Sequence, residues 1–234
     1  MHEYLLFSQV APARHEQTLH VLAGVTGSQP FAYQDQHLLF ANIKIKPENA
    51  PRHSKKNPQS AASTDRLIHD LSRPINLDHG AAESTGPWRA RVPSMPDASV
   101  STFTSRDVTE TELDNVDDYN DSSLFVAKGQ HYRIGHRFVR GNVIIRIFRI
   151  FYSDQPTPVD KLLRGPPSKF SDLTILDPSG TYFVEVSIRL EDRSNSKLAD
   201  QARAEFLAFQ NAVDGVLDLR VPDRFALDTR VKGN

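Results

Sequence analysis

Basic residues without an acidic neighbour fill the stretch from Ser122 to Ser153, which contains no aspartate or glutamate. They are Lys128, Arg133, Arg137, Arg140, Arg146 and Arg149. Interleaved with tyrosine and phenylalanine, such arginines could contact a nucleic-acid backbone while the rings stack on bases. They could also line a basic tunnel for a polyphosphate, or pair with the acidic sequence DVTETELDNVDDYND that precedes them.

Charge balance favours the last of these three interpretations. The net charge of the chain is −1, so the whole molecule is not a general polyanion binder. The acidic sequence lies directly before the basic stretch, which makes internal pairing of the arginines the simplest expectation. Direct contact with nucleic acid is therefore not expected.

Metal and nucleophile chemistry has little support in the residue types. The chain has no cysteine, which excludes disulfides, thiolate metal sites and cysteine nucleophiles. His131 and His136 are five residues apart, so on a strand they point to opposite faces. No phosphate-binding glycine loop or nucleophile-elbow motif occurs. We therefore predict no metal, no cofactor and no catalytic residue.

Composition indicates an intracellular protein with one sizeable core. The chain has 234 residues, of which 38% are hydrophobic. No apolar run approaches the roughly 18 residues that span a bilayer. The N-terminal sequence MHEYLLFSQV lacks the basic and apolar regions of a signal peptide. We expect a cytosolic or nuclear protein without a membrane contact.

Short strands dominate the elements that must position these side chains. Residues 3–10 and 37–45 predict strands, and a helix between them begins after Pro12. Two hairpins follow later, one from 131 to 152 and one around the turn at Pro178-Ser179-Gly180. The best helix carries Leu198, Ala202, Phe206, Phe209 and Val213 on one stripe, with Ser194 or Ser196 as its cap. We predict a mainly β (α+β) fold of about eight antiparallel strands with two flanking helices, as a closed barrel or a two-sheet sandwich.

One segment has no apolar period at all. Residues 47–85 are rich in proline, serine, asparagine and charge, which predicts a disordered insertion. A short helix over residues 67–71 is possible within it. The flanking segments 1–46 and 86–234 are then expected to form one β domain.

The second strand of the basic hairpin, VIIRIFRIFY, is apolar on both faces. Val143, Ile145, Ile147 and Phe151 share a face with Arg149, and the alternate residues share the other face with Arg146. Such an antiparallel strand needs cover on both sides. The C-terminal helix can supply one cover, and the barrel interior or a second protein the other. If a partner covers one face, we predict that Ile147, Arg149 and Phe151 form the interface.

The order of these sequence segments is similar to that found in a known protein family. The N-terminal MHEYLLFSQVAPARHEQTLHVLAGVTG, then PWRARV, GQHYRIGHRFVRGNVIIRIFRIFY and the C-terminal FLAFQNAVDGVLDLRVPDRFALDTRV resemble subunit 18 of the Mediator complex, closest to its fungal members. The resemblance covers residues 1–46 and 86–234. It implies an antiparallel β-barrel in the Mediator head module, similar to the triphosphate-tunnel fold.

The same resemblance implies a function through partners. It predicts a non-catalytic nuclear subunit that couples transcription regulators to the RNA polymerase II machinery. The implied partners are Mediator subunit 20, as a heterodimer, and a helix of Mediator subunit 8.

The fold likeness also supplies an alternative function, a metal-dependent tunnel-type RNA or polyphosphate triphosphatase. Such an enzyme needs at least two carboxylates at alternate strand positions to hold a divalent metal against the phosphates. The first strand offers Glu3 alone. The sequence most similar to this carboxylate pattern is EVSIRLE, which would place Glu185, Arg189 and Glu191 in the cavity. The two glutamates are too far apart along one strand to make a good metal site.

Overall fold

Antiparallel strands form most of the computed structural model, which describes residues 1–42, 64–71, 87–153, 158, 163 and 172–228. In chain order the elements are β1 His2–Val10, α1 His15–Thr26, β2 Phe31–Asn42, β3 Thr64–Asp70, β4 Trp88–Pro93, β5 Thr104–Leu113, β6 Phe125–Arg140, β7 Val143–Tyr152, β8 Thr174–Ile175, β9 Tyr182–Leu190 and α2 Ser196–Ala212. Among these residues no helix is both long and apolar enough to cross a bilayer.

The strands close into a barrel. Their order in the sheet is β6-β2-β3-β4-β5-β1-β9-β7-β8, and β6 also pairs with β7. That last pairing closes a ring of eight strands, and the two-residue β8 extends the edge of β7. Closure leaves few unpaired strand edges. The predicted eight-stranded antiparallel barrel with two helices is confirmed.

The hairpin of β6 and β7 turns at Gly141, whose φ of 57° lies in the left-handed region that glycine tolerates. The next residue ties this turn to α2. The Asn142 backbone N–H donates to Glu205 Oε1 at 2.8 Å, and its side-chain amide donates to Glu205 Oε2 at 2.9 Å. The hairpin thereby fixes where the C-terminal helix crosses the barrel wall.

Helix α2 covers one side of the barrel. Asn195, rather than the predicted Ser194 or Ser196, caps it by accepting from the Leu198 backbone N–H at 3.3 Å. Phe206 and Phe209 are buried against strand residues such as Ile145 and Ile147. Leu198, predicted as part of the same stripe, is 48% exposed at the start of the helix. The main hydrophobic core therefore lies between the barrel wall and its helices, outside the lumen.

Strand β3 corrects one prediction. It lies inside the segment 47–85, which the sequence predicted to be a disordered insertion with a possible helix over 67–71. Leu67 is fully buried with Leu38 and Phe40 in a second apolar cluster, and β3 pairs with β2 and β4. Both predictions are wrong there, because sheet pairing orders a stretch whose own pattern is weak. The other residues of the insertion lie outside the described residues.

Candidate functional site

The barrel lumen holds most of the charged residues that the strands bury. Cα partners on neighbouring strands point to the same side of the sheet, so register identifies the inward positions. Glu3 lies opposite Arg106 and Arg189, and Arg133 lies opposite Asp35. By this criterion the inward arginines of the described strands are Arg66, Arg89, Arg91, Arg106, Arg133, Arg137, Arg146 and Arg189. The inward carboxylates are Glu3, Asp35, Asp70, Glu110, Glu112 and Glu185.

Glu185 accepts from two of these arginines. Arg146 Nη1 donates to Glu185 Oε1 at 3.2 Å and to Ser187 Oγ at 3.2 Å. Arg133 Nη1 donates to Glu185 Oε2 at 3.4 Å, while its guanidinium carbon lies 4.7 Å from the centre of the Phe148 ring. Burial opposes ionisation of Glu185, but Arg133 and Arg146 outweigh it and lower the pKa of this carboxyl to about 2. Glu185 is therefore a permanent counter-charge.

Glu3, on the neighbouring strand β1, is bridged in the same way. Its Oε1 accepts from Arg106 Nε at 2.7 Å, and its Oε2 accepts from Arg91. Its side chain has no exposed surface. Both oxygens of Glu3 are thus engaged by guanidinium groups.

A third glutamate repeats this arrangement. Glu110 Oε2 lies 3.4 Å from Arg189 Nη1, and its Oε1 lies 3.5 Å from Arg89 Nη1. Each of the three glutamates therefore bridges two arginines and leaves one positive charge over.

Arg66 has no such counter-charge, because no described carboxylate lies within ion-pair distance of it. Its Nε is buried without a hydrogen-bond partner. Burial, followed by the charges of Arg133 and Arg91, lowers the pKa of Arg66 to about 10. The guanidinium stays protonated at neutral pH, so the middle of the lumen is positive.

Two histidines share this positive environment. The rings of His37 and His131 stack with centroids 4.8 Å apart and planes 10° from parallel. Burial and the nearby Arg133 lower the pKa of His131 to about 3 and that of His37 well below its usual value. Both rings are neutral at physiological pH, so they add no charge to the lumen.

One sequence expectation about this charge is wrong. Arg146 was expected to pair with the acidic sequence at 107–121, but it pairs with Glu185 because both project into the lumen. The proposed triphosphatase set also fails to assemble. Glu185 and Arg189 both face the lumen but pair with different residues, Glu185 with Arg133 and Arg146 and Arg189 with Glu110. Glu191 is exposed just after β9. No group of three or more potential metal ligands occurs among the described residues.

An opening at one end gives access to the lumen. It is a cavity of about 510 Å³ between the end of β1, the start of β9, β7 and residues 218–222. Phe7, Phe148 and Phe183 form its apolar walls, and Arg133 and Glu185 lie at its inner side. The cavity thus borders the ion pair of Arg133 and Glu185.

The predicted interface residues lie on the opposite face of the wall. Ile147 is fully buried in the main core, so its assignment to an exposed partner surface is wrong. The reason is that α2 covers this part of β7. Arg149 and Phe151 are half-buried farther along the strand, and their role stays a prediction.

Arg149 and Phe151 belong to a surface that we call the Arg149 patch, formed by His15, His136, Arg149, Phe151 and Tyr182. The Arg149 guanidinium carbon lies 4.8 Å from the centre of the Tyr182 ring and 5.6 Å from that of Phe151. His15 stacks on the other side of this cluster, with its ring 3.8 Å from that of Tyr182. Burial, then His136 and Arg149, lower the pKa of His15. The patch is therefore aromatic with one fixed positive charge.

Sequence reasoning missed the arginines of β3, β4 and β5. The alternation of Arg89 with Arg91 does place both on one face of a strand. Nothing local, however, shows that Glu3 at residue 3 meets Arg91 and Arg106, because that contact depends on closure of the whole barrel.

Comparison with known proteins reveals relatives along the whole chain. The family model described as "Med18 protein" matches residues 2–230. Proteins named Mediator of RNA polymerase II transcription subunit 18 from Yarrowia lipolytica and Coccidioides immitis are 22% and 25% identical to it. In both cases the match covers 99% of this chain and 100% of the relative.

A solved structure shares the fold. A chain from the Schizosaccharomyces pombe Mediator head module superposes with a TM-score of 0.71 at 15% identity, covering 95% of this chain and 99% of that one. At this identity the likeness concerns the barrel architecture alone. Because the family model matches nearly the entire length of this chain, the chain belongs to the Med18 family.

Proposed function

We propose that this protein is a non-catalytic structural and protein-binding subunit of the Mediator complex. The observation that carries the proposal is the full-length match to proteins named Mediator subunit 18. In this role it couples transcription regulators to the RNA polymerase II machinery and acts in the nucleus, as a member of the head module.

The chemistry of the lumen supports a role without catalysis. A metal-dependent triphosphatase needs free carboxylates to hold the ion. Glu3 and Glu185 are the two buried glutamates that could serve as metal ligands. In each, both carboxylate oxygens are engaged by arginines. Binding a divalent cation would require breaking those buried ion pairs and bringing two positive charges beside the metal.

The proposed partners are Mediator subunit 20, which forms a heterodimer with this chain, and a helix of subunit 8. The Arg149 patch is the surface that we propose for partner contact. Aromatic side chains and arginine are the residue types that dominate binding energy at protein interfaces. Arg149 and Phe151 are half-buried, so part of each side chain is available to a partner.

Co-expression with subunit 20 of the same organism tests this function. The expected result is a stable 1:1 complex in size-exclusion chromatography with light scattering, and no release of phosphate from RNA 5′-triphosphate with manganese. A monodisperse lone monomer that does not bind subunit 20 would refute the proposed role. Manganese-dependent phosphate release that is lost on Glu185→Gln substitution would instead establish the triphosphatase.

A further inference from the structure

A groove on the outside of the barrel separates the first turns of α2 from the end of β9. It has a volume of about 340 Å³, and the turn between β6 and β7 closes one side of it at Asn142. This volume is in the range of pockets that receive a small ligand or a few side chains. The groove is therefore large enough to bind part of another molecule.

The floor of this groove is apolar. Ile188 and Leu190 of β9 and Ala202 of α2 are buried there. Leu198 lines the same groove but is 48% exposed, although it belongs to the apolar stripe of α2. Single exposed leucines are common on protein surfaces, but this one lies in a concavity beside other apolar residues. An aliphatic side chain placed in the groove would bury the exposed surface of Leu198.

The rim of the groove is acidic. Its carboxylates are Glu191, Asp192 and Glu205, and none of them forms an ion pair with a described residue. The hydroxyl and backbone N–H of Ser194 donate to Asp192 and lower the pKa of its carboxyl. Arg189 is the one basic residue that lines the groove, and its guanidinium pairs with Glu110 in the lumen. The rim therefore has negative charge that the surrounding residues do not neutralise.

An apolar floor with an acidic rim selects one kind of partner. Nucleic acids and anionic lipid surfaces carry the same sign of charge as the rim, so they are repelled. A protein segment that has an aliphatic side chain between lysine or arginine residues matches both parts of the groove. Complementary charge of this kind steers association and fixes the orientation of the bound segment.

We propose that this groove binds a basic amphipathic segment of another protein. An aliphatic side chain of that segment packs against Leu198, and flanking lysine or arginine side chains pair with Glu191 and Asp192. The groove is separate from the Arg149 patch, because Tyr182 of the patch begins β9 and Leu190 of the groove ends it. The inference therefore does not depend on the binding of subunit 20.

Fluorescence anisotropy with the full chain and three rhodamine-labelled hexapeptides tests the groove. The peptide KRLLRK has both required features, KRSSRK lacks the aliphatic side chains, and EELLEE has the opposite charge. We expect saturable binding of KRLLRK and affinities about tenfold lower or less for the other two peptides. The affinity for KRLLRK should also fall as the salt concentration rises from about 50 mM to about 300 mM, because the rim charges are exposed to solvent.

Two variants locate the binding of KRLLRK. Leu198→Ser removes the exposed apolar surface of the floor, and Glu191→Gln with Asp192→Asn removes two charges of the rim. Each should lower the affinity for KRLLRK by about tenfold or more. All three positions are exposed, so both variants should fold with a melting temperature close to that of the unaltered chain.

Matched controls lie outside the groove. Leu176→Ser, at a position that is 54% exposed beside β8, and Asp200→Asn with Asp214→Asn should leave the affinity for KRLLRK unchanged. No saturable binding of KRLLRK up to about 1 mM, or equal loss in variants and controls, would overturn the proposal. Self-association of the chain that Leu198→Ser abolishes would also overturn it, because the groove would then belong to a second copy.

Discussion

The two faces of strand β7 are both buried, but by different chemistry. On the outer face, Val143, Ile145 and Ile147 pack with the phenylalanines of α2 in an apolar core. On the inner face, Arg146 and Phe148 project into the lumen, where Arg146 pairs with Glu185. Arg146 of this apolar strand lies on the lumen side and Arg149 on the outer face, so an arginine in the strand does not by itself identify the lumen, and apolar residues on both faces do not require a partner protein.

This difference has consequences for what each face tolerates. The outer core is stabilised by apolar area and close packing, so a loss of volume should be the most damaging change. The lumen is stabilised by compensation of charge, so a change that preserves volume but removes a carboxylate should be damaging there. The following substitutions separate the two mechanisms.

Truncation of the outer core should have the largest effect. Phe206 is fully buried and contacts the ring cluster of Tyr4 and Phe103. We expect Phe206→Ala to lower the free energy of unfolding by about 3–5 kcal/mol, from lost burial and the cavity left behind. Urea unfolding followed by circular dichroism measures the loss. Leu198→Ala, half-exposed on the same helix, is the control and should cost about 0.5–1 kcal/mol.

Removal of a lumen carboxylate should follow closely. Glu185→Gln preserves volume but leaves Arg133 and Arg146 without their shared counter-charge. We expect a loss of about 3 kcal/mol in the free energy of unfolding, measured in urea at pH 7. The control Glu191→Gln, at an exposed position just after β9, should change it by less than about 0.5 kcal/mol. Equal stability of both variants would mean that the ion pairs of the lumen do not stabilise the barrel.

Acid should destabilise the lumen before it affects the outer core. The pKa of His131 is about 3 in the folded chain and about 6.5 when unfolded. Between these two pH values the unfolded state binds a proton that the folded state excludes. The contribution of His131 to the free energy of unfolding is therefore fully present above pH 6.5 and decreases as the pH is lowered. Glu185, with its pKa lowered to about 2 from an ordinary 4.5, adds a further loss below about pH 4.5.

Urea midpoints measured from pH 7 to pH 4 test this dependence. His131→Gln should flatten the decline, because one buried titrating ring is removed. His20→Gln, at an exposed position of α1, should leave the slope as it is. A wild-type midpoint that stays constant over this range would contradict burial of neutral histidines in the lumen.

Substitution in the Arg149 patch should have the smallest effect on stability. Arg149→Glu with Phe151→Ala alters two half-buried side chains beyond the part of β7 that α2 covers. We expect the free energy of unfolding to fall by no more than about 1–2 kcal/mol, chiefly from the loss of the Arg149 contact with Tyr182. Failure of this double variant to fold would place the patch in the core with Ile147.

The sequence predicted those parts of the fold that have a strong local pattern. The hairpin of β6 and β7, the strand β9 and the helix α2 all show clear periodicity, and their existence was correctly predicted. Strand β3 was not, because Thr64–Asp70 has one short apolar pair among charged residues and is ordered by pairing with β2 and β4.

The lumen was predictable only in part for a related reason. The alternation of arginines showed that several share a face, and a basic tunnel was one of three interpretations. Which carboxylate meets which arginine is set by register around the closed ring. Glu3 and Arg91 are 88 residues apart in the chain, and no local rule links them. The burial of Ile147 likewise depends on which face α2 covers.

The most direct test of the account compares the two faces in one binding measurement with Mediator subunit 20. The account predicts that Arg133→Met, in the lumen, binds subunit 20 with wild-type affinity in calorimetry. It predicts that Arg149→Glu with Phe151→Ala weakens that binding by about tenfold or more while remaining folded. The reverse pattern, with loss of subunit 20 binding in the lumen variant alone, would contradict the central claim that partner binding belongs to the outer face.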